Sequence, residues 1–146
     1  MIGQGPELEY CQDLAITMGL KDKITFRGSL LNVPRVLCYT DIFLIPSAIE
    51  SFGLAALEAM SCKIPIISSN AGGLPEVNVH EKTGFVVDVG DVDGLAKSIL
   101  TLVNDEKLRK KFGKEGARIA QEKFHPDVIV PQYEDLYKRV IDNKNE

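Results

Sequence analysis

DIFLIPSAIESFGLAALEAMSCKIPIISSNAGGLPE, residues 41–76, sets a strand, a helix and a second strand in quick succession. Ile42-Phe43-Leu44-Ile45 is a short apolar run bounded by Pro46 and Ser47, the pattern of a strand buried on both faces in a parallel sheet. From Phe52 to Cys62, Leu54, Leu57 and Met60 recur at helical spacing with Ala55, Ala56 and Ala59 between them. Pro65-Ile66-Ile67 then reads as a second parallel strand, with the proline at its start, where a missing N–H is tolerated.

Two carboxylates mark this unit, Glu50 in the loop and Glu58 inside the helix. For a helix starting near Phe52, Glu58 lies about 9 Å along the axis on the face of Leu54, four positions earlier. A charge set among Leu57, Ala59 and Met60 is expected to need a partner. The head of the helix offers unpaired N–H groups at Phe52, Gly53 and Leu54, and Gly53 has no Cβ to hinder a close approach. That spacing suits a diphosphate at the helix tip with a hydroxyl-rich group on either side, each Glu accepting hydrogen bonds. An ordinary loop acid at Glu50 and a solvated helix residue at Glu58 satisfy the same pattern.

Further blocks accompany the pair: Gly3-Gln4-Gly5-Pro6-Glu7, Phe26-Arg27-Gly28, Gly72-Gly73-Leu74-Pro75-Glu76, Thr83-Gly84 and Gly90-Asp91. Together with Glu50-Ser51-Phe52-Gly53 through Glu58, they resemble the Glu-x7-Glu family 4 retaining glycosyltransferases of the two-domain GT-B fold, in the right order over nearly the whole chain. Within that family the sequence looks most like members that join N-acetylglucosamine from UDP-GlcNAc to L-malate in bacillithiol biosynthesis. The resemblance implies metal-independent transfer with retention and no cofactor. It gives Glu50 the sugar hydroxyls, the N–H groups of Phe52, Gly53 and Leu54 the leaving diphosphate, and Glu58 the ribose. Arg27, Gly28 and Leu31 become candidates beside the uracil, although Arg27 reads equally well as a surface charge. A two-carboxylate hydrolase scheme would lack its acid/base partner once Glu58 is engaged by ribose.

By the same resemblance, residues 1–125 are expected to form the donor-binding domain without its first strand and helix. Residues 126–146 are expected to form a helix that crosses to an acceptor-binding domain preceding this portion. The isolated chain is then expected to be inactive. Exposed strand edges would make self-association a fair expectation. A non-catalytic nucleotide-sugar binding or assembly module that needs a partner chain is one alternative reading, and a glycosyltransferase with another donor or acceptor is the second.

At 146 residues the chain suits a single core, and its formal charge of −4 without a basic run argues against nucleic-acid or anionic-membrane partners. No apolar run approaches the ~20 residues of a membrane span, and Met1 is not followed by a secretory signal. Cys11, Cys38 and Cys62 lack paired metal spacing and are expected to be small, at least half-buried thiols in a reducing cytoplasm. Met1-Ile2 and Ile24-Thr25-Phe26 read as short strands, Gly3-Gln4-Gly5 as a turn, and Leu8 to Met18 as a helix stopped by Gly19. Asn32 is placed to cap a helix carrying Val33, Val36 and Leu37. Gly72-Gly73 reads as a loop, a tight turn or a close approach to the donor. Phe85-Val86-Val87 is the last strand, and Asp91 is expected to cap a helix through Leu95, Ile99, Leu102 and Val103. Helices from Glu106 to Phe124 and from Val128 to Ile141 follow. His80 and His125 have no nucleophile or metal partner in the sequence, and neither is assigned a chemical role. The alternation gives an α/β, doubly wound parallel sheet, Rossmann-like, with the ligand at the carboxyl ends of the strands.

Overall fold

A computed structural model describes residues 1–142; the expected C-terminal helix segment 143–146 lies outside the described residues. The chain divides into two compact units, Met1–Val36 and a second that begins at Leu37.

In the first unit α1, Leu8–Thr17, ends as expected at Gly19, whose φ is +68°. Gly19 N donates to Ile16 O and Leu20 N to Ala15 O, which closes the turn with the last carbonyls satisfied. The expected inward face of α1 is only partly buried: Ala15 is buried and Cys11 half-buried, whereas Leu14 and Met18 are exposed. The two short strands expected here do not form as elements. Met1 N donates to Thr25 O and Arg27 N to Met1 O, the bond pair of a parallel ladder, but the next bond, Gly3 N to Gly28 O, is one residue out of register and no strand forms. Helix α2, Val33–Leu37, crosses the division.

The second unit is built on three parallel strands in the order β1-β2-β3: Phe43–Ile45, Ile66–Ser69 and Gly84–Val87. Phe43 pairs with Ile66, and Ile66 in turn with Gly84. Every residue of β2 is buried, so the central strand is covered on both faces. Ile67 packs with Leu102 and Phe112, while Ser68, on the opposite face, meets Asn78. Edge strand β1 is only partly covered, Leu44 being 43% exposed.

Helix α3, Leu54–Ser61, joins β1 to β2; α4, Leu74–Val77, joins β2 to β3; and α5, Val92–Asn104, α6, Glu106–Phe124, and α7, Pro126–Asp142, follow. Only α4 escapes the periodicity, because four residues with a proline carry no helical period. Helix α6 lies against α3 at Gly113 and Gly116: a methyl on Gly113 would stand 1.9 Å from Lys63 O, and one on Gly116 3.4 Å from Met60 Cγ. The corner between α5 and α6 is fixed by side chains. Asp105 Oδ1 accepts from Leu108 N at 2.9 Å, and Arg109 Nη1 donates to the carbonyls of Leu102 and Val103 at the end of α5.

Asp91 caps α5 as the sequence predicts, Oδ1 accepting from Gly94 N at 2.8 Å. Asp91→Ala is expected to lower the unfolding free energy by about 1 kcal/mol. A urea midpoint unchanged within error would show that the cap contributes nothing.

Candidate functional site

The loops at the carboxyl ends of the three strands are tied to one another. Ser69 Oγ at the end of β2 donates to Ser47 O, just beyond β1, at 2.5 Å. Asn70 Nδ2 donates to Asp88 Oδ1 at 2.7 Å, and Val89 N donates to Asn70 Oδ1, which binds the ends of β2 and β3. The loop 46–53 and the glycine pair 72–73 therefore stand on one anchored rim.

Glu50 sits on that rim, half-buried, its Oε1 accepting from Ser51 N at 3.0 Å. Its second carboxylate oxygen has no partner among the described residues. The backbone around it is gripped by the second loop. Gly73 N donates to Ser51 O, and a methyl on Gly72, whose φ is +50°, would stand 1.6 Å from Glu50 O. The contact is possible only because position 72 lacks a Cβ and tolerates a left-handed backbone.

Helix α3 starts at Leu54, two residues later than the spacing suggests, after Gly53 in the left-handed region at φ +98°. A methyl on Gly53 would meet Leu74 Cδ2 at 2.7 Å. No side chain caps this end, and Ala56 N and Leu57 N both donate to Gly53 O. The N–H groups of Leu54 and Ala55 are thus the helix donors left without an acceptor among the described residues. Phe52 also anchors the loop to the far end of α6, its ring packing edge-on against Phe124 at 5.7 Å between centroids.

The expectation of a confined charge at Glu58 is corrected. Ala56, Ala59 and Met60 form the buried face of α3, and Glu58 is exposed together with Leu54 and Ala55. Neighbours at i±1 on a helix point away from one another, so Leu57 and Ala59 do not enclose it. Glu58 is therefore free to meet a ligand arriving along the exposed face. Arg27, Gly28 and Leu31 lie in the first unit, where Arg27 is exposed, Leu31 fully exposed, and Gly28 O accepts from Gly3 N.

The thiols also depart from expectation, since only Cys11 is half-buried while Cys38 and Cys62 are exposed. Desolvation, followed by the neighbouring Cys38 and Glu58, raises the Cys62 pKa above its ordinary value, so its thiolate is scarce at neutral pH and a nucleophilic role is disfavoured. No helix among the described residues is long and apolar enough to cross a membrane.

The sequence profile described as "Glycosyl transferases group 1" matches residues 1–119. The chain belongs to this family. N-acetyl-alpha-D-glucosaminyl L-malate synthase of Bacillus anthracis is 38% identical to it over 99% of the chain, and the chain spans 38% of that protein's length. LpsD, a lipopolysaccharide core biosynthesis glycosyltransferase of Rhizobium meliloti, is 34% identical over 97% of the chain, which spans 41% of it. Among solved structures, sucrose-phosphate synthase of Thermosynechococcus elongatus superposes with a TM-score of 0.88 at 28% identity, covering 97% of this chain and 38% of that one. HepE of Anabaena, solved in complex with UDP, gives 0.87 at 26% identity, covering 94% and 40%. The group 1 chain thus has the α/β parallel-sheet fold of GT-B glycosyltransferases. Its rim of anchored loops falls where open parallel sheets bind ligands.

Proposed function

We propose that this chain is the donor-binding portion of a retaining glycosyltransferase that takes a sugar from a UDP-sugar, UDP-GlcNAc by preference, and delivers it to a small acceptor, L-malate. The observation that carries the reading is the head of α3. Two unpaired N–H groups at Leu54 and Ala55 sit beside a glycine-braced loop that presents Glu50, and Glu58 lies exposed one turn along. Helix N–H groups and the positive end of the helix dipole favour a diphosphate. Family membership, the B. anthracis relative and the UDP complex of HepE support the nucleotide and the acceptor.

In this reading the N–H groups from Phe52 through Ala55 stabilise charge as it builds on the leaving diphosphate. Glu50 orients the sugar hydroxyls and Glu58 the ribose. Arg27, Gly28 and Leu31 flank the uracil. The acceptor is held by a preceding domain, α7 crosses to it, and the reaction is cytoplasmic, where sugar nucleotides and reduced thiols occur together.

Calorimetric titration with UDP and UDP-GlcNAc tests these roles. Glu58→Ala is expected to weaken both ligands by about 1–3 kcal/mol, the loss of a charged hydrogen bond. Glu50→Ala is expected to weaken UDP-GlcNAc while leaving UDP unchanged. Equal effects of Glu50→Ala on the two ligands would remove it from the sugar site.

The span of 38% of the B. anthracis relative supports a second reading, a nucleotide-sugar binding module without chemistry of its own. Transfer to malate by the chain together with an acceptor domain excludes that module, whereas donor binding without transfer in the same mixture favours it.

A further inference from the structure

Helix α6 is richer in Lys and Arg than in Glu. The chain carries 21 acidic against 17 basic residues, yet a groove of about 600 Å³ on this helix is lined by five cations and two carboxylates. Lys111, Lys114 and Arg118 come from α6, Lys63 follows α3, and Lys82 lies in the turn before β3. The Arg118 guanidinium is already engaged. It donates to both oxygens of Glu115, at 2.6 and 3.0 Å, and to Glu122. Its hydrogen bond is the main reason the Glu115 carboxyl lies below its ordinary pKa, with Lys82 adding a smaller pull. The other lining carboxylate, Glu81, stands 4.0 Å from His80 Nε2. Lys63, Lys82, Lys111 and Lys114 make no ion pair among the described residues. Four exposed lysines that form no ion pair among the described residues therefore line a concavity of small-molecule size.

The backbone sets the same place apart. Lys63 and Glu81 are the non-glycine residues with positive φ among the described residues, +63° and +59°, and both line this groove. Helices α1 and α3 close with the same pair of turn bonds. In α1 the left-handed position is Gly19; in α3 Lys63 fills it, with Lys63 N donating to Met60 O and Ile64 N to Ala59 O. Glycine fits this position without strain and an L residue does not, so the turn gives no reason for a lysine there. Gly113 meanwhile lets α6 rest directly on the Lys63 carbonyl, which fixes the spacing between Lys63 and the lysines of α6.

We propose that this groove binds a small soluble anion carrying two or more phosphate groups. It lies at the opposite end of α3 from Gly53, so the inference does not depend on the donor reading. Lysine ammonium groups act as point charges toward phosphate, and four of them match a polyphosphate better than a monovalent anion. No aromatic residue lines the groove to stack a nucleic-acid base, and none of the large exposed apolar side chains lies there to anchor a bilayer.

The test is titration of the ¹⁵N-labelled 146-residue chain with sodium tripolyphosphate, with calorimetry in parallel. Saturable binding with amide shifts at Lys63, Gly113 and Lys114 is expected. Lys111→Gln combined with Lys114→Gln is expected to lower the affinity about tenfold or more. Lys63→Gly is the decisive variant, expected to weaken binding while leaving the unfolding midpoint unchanged or raised. Lys107→Gln with Lys123→Gln, which removes the same charge elsewhere on α6, is expected to leave the affinity within about twofold. Equal loss in that control pair, full affinity in Lys63→Gly, shifts confined to Gly53–Ala56, or no saturable binding would each overturn the proposal. So would retention of the chain on phosphatidylglycerol vesicles without tripolyphosphate binding, which would mark a membrane-facing surface instead.

Discussion

Asn78→Ala is expected to lower the stability of this chain by about 3–5 kcal/mol, through buried polar groups that each lose a hydrogen bond. Asn78 is fully buried beyond the end of α4. Its Nδ2 donates to Ser68 Oγ and to Phe85 O, each at 2.9 Å, and its Oδ1 accepts from Thr83 Oγ1 at 2.8 Å. Thr83, also fully buried, accepts in turn from Val79 N at 2.8 Å. One side chain thus ties α4 to β2 and β3, and truncating it takes a hydrogen bond from Ser68 Oγ, from Phe85 O and from Thr83 Oγ1, the last keeping Val79. Each such group costs about 1–3 kcal/mol, and relaxation of the site brings the total below a simple sum. Thr83→Val, close to isosteric, is expected to cost about half as much. In a double-mutant cycle of urea unfolding the pair is expected to couple by about 1–3 kcal/mol. A loss under about 1 kcal/mol for Asn78→Ala would show that the network does not hold the sheet to α4.

That network is invisible in the sequence for a physical reason. Asn78 and Thr83 stand in the largely polar stretch 76–83 before β3, which reads as a surface turn, and their burial arises only when β2 and β3 pair. Where the signal is local, the reading succeeds. Asp91 and the apolar period from Leu95 to Val103 locate α5, and α6 runs over the residues expected, Glu106–Phe124. The strands at Phe43–Ile45, Ile66–Ser69 and Gly84–Val87 emerge from apolar runs too short for helices. Segments whose order depends on distant partners are lost, as at Met1-Ile2 and Ile24–Phe26, where a few bonds slipping out of register at Gly3 replace two strands. The candidate site divides in the same way. The spacing of Glu50 and Glu58 around the head of α3 is legible, but the exposure of Glu58 and the seating of Gly72 on the Glu50 carbonyl belong to the tertiary fold.

Gly72→Ala is expected to weaken UDP-GlcNAc binding about 100-fold or more, the scale on which a displacement near 1 Å disrupts a positioned group. The added methyl would stand 1.6 Å from Glu50 O and 2.8 Å from its carbonyl carbon, both backbone atoms that cannot rotate aside. At the next position a methyl on Gly73 would meet Ser51 O at 2.8 Å and Phe52 Cα at 3.0 Å, so the two loops approach closely at successive residues. Residues 50–52 must move for the variant to fold, and they carry the carboxylate assigned to the sugar. The stability loss is expected to be smaller, about 1–3 kcal/mol, because the rim is a surface loop that can shift while the sheet stays packed. Gly90→Ala separates the two causes. Gly90 has φ +82° and nothing within 4 Å of the added methyl, so that variant carries the left-handed strain without the collision. It is expected to cost about 1 kcal/mol of stability and leave donor affinity within about threefold. If Gly72→Ala binds UDP-GlcNAc as the parent chain does, the placement of Glu50 does not depend on its glycine brace and the sugar-orienting role of Glu50 fails. If it loses the sugar nucleotide but still binds UDP, the displaced segment acts through Glu50 and the head of α3 is intact.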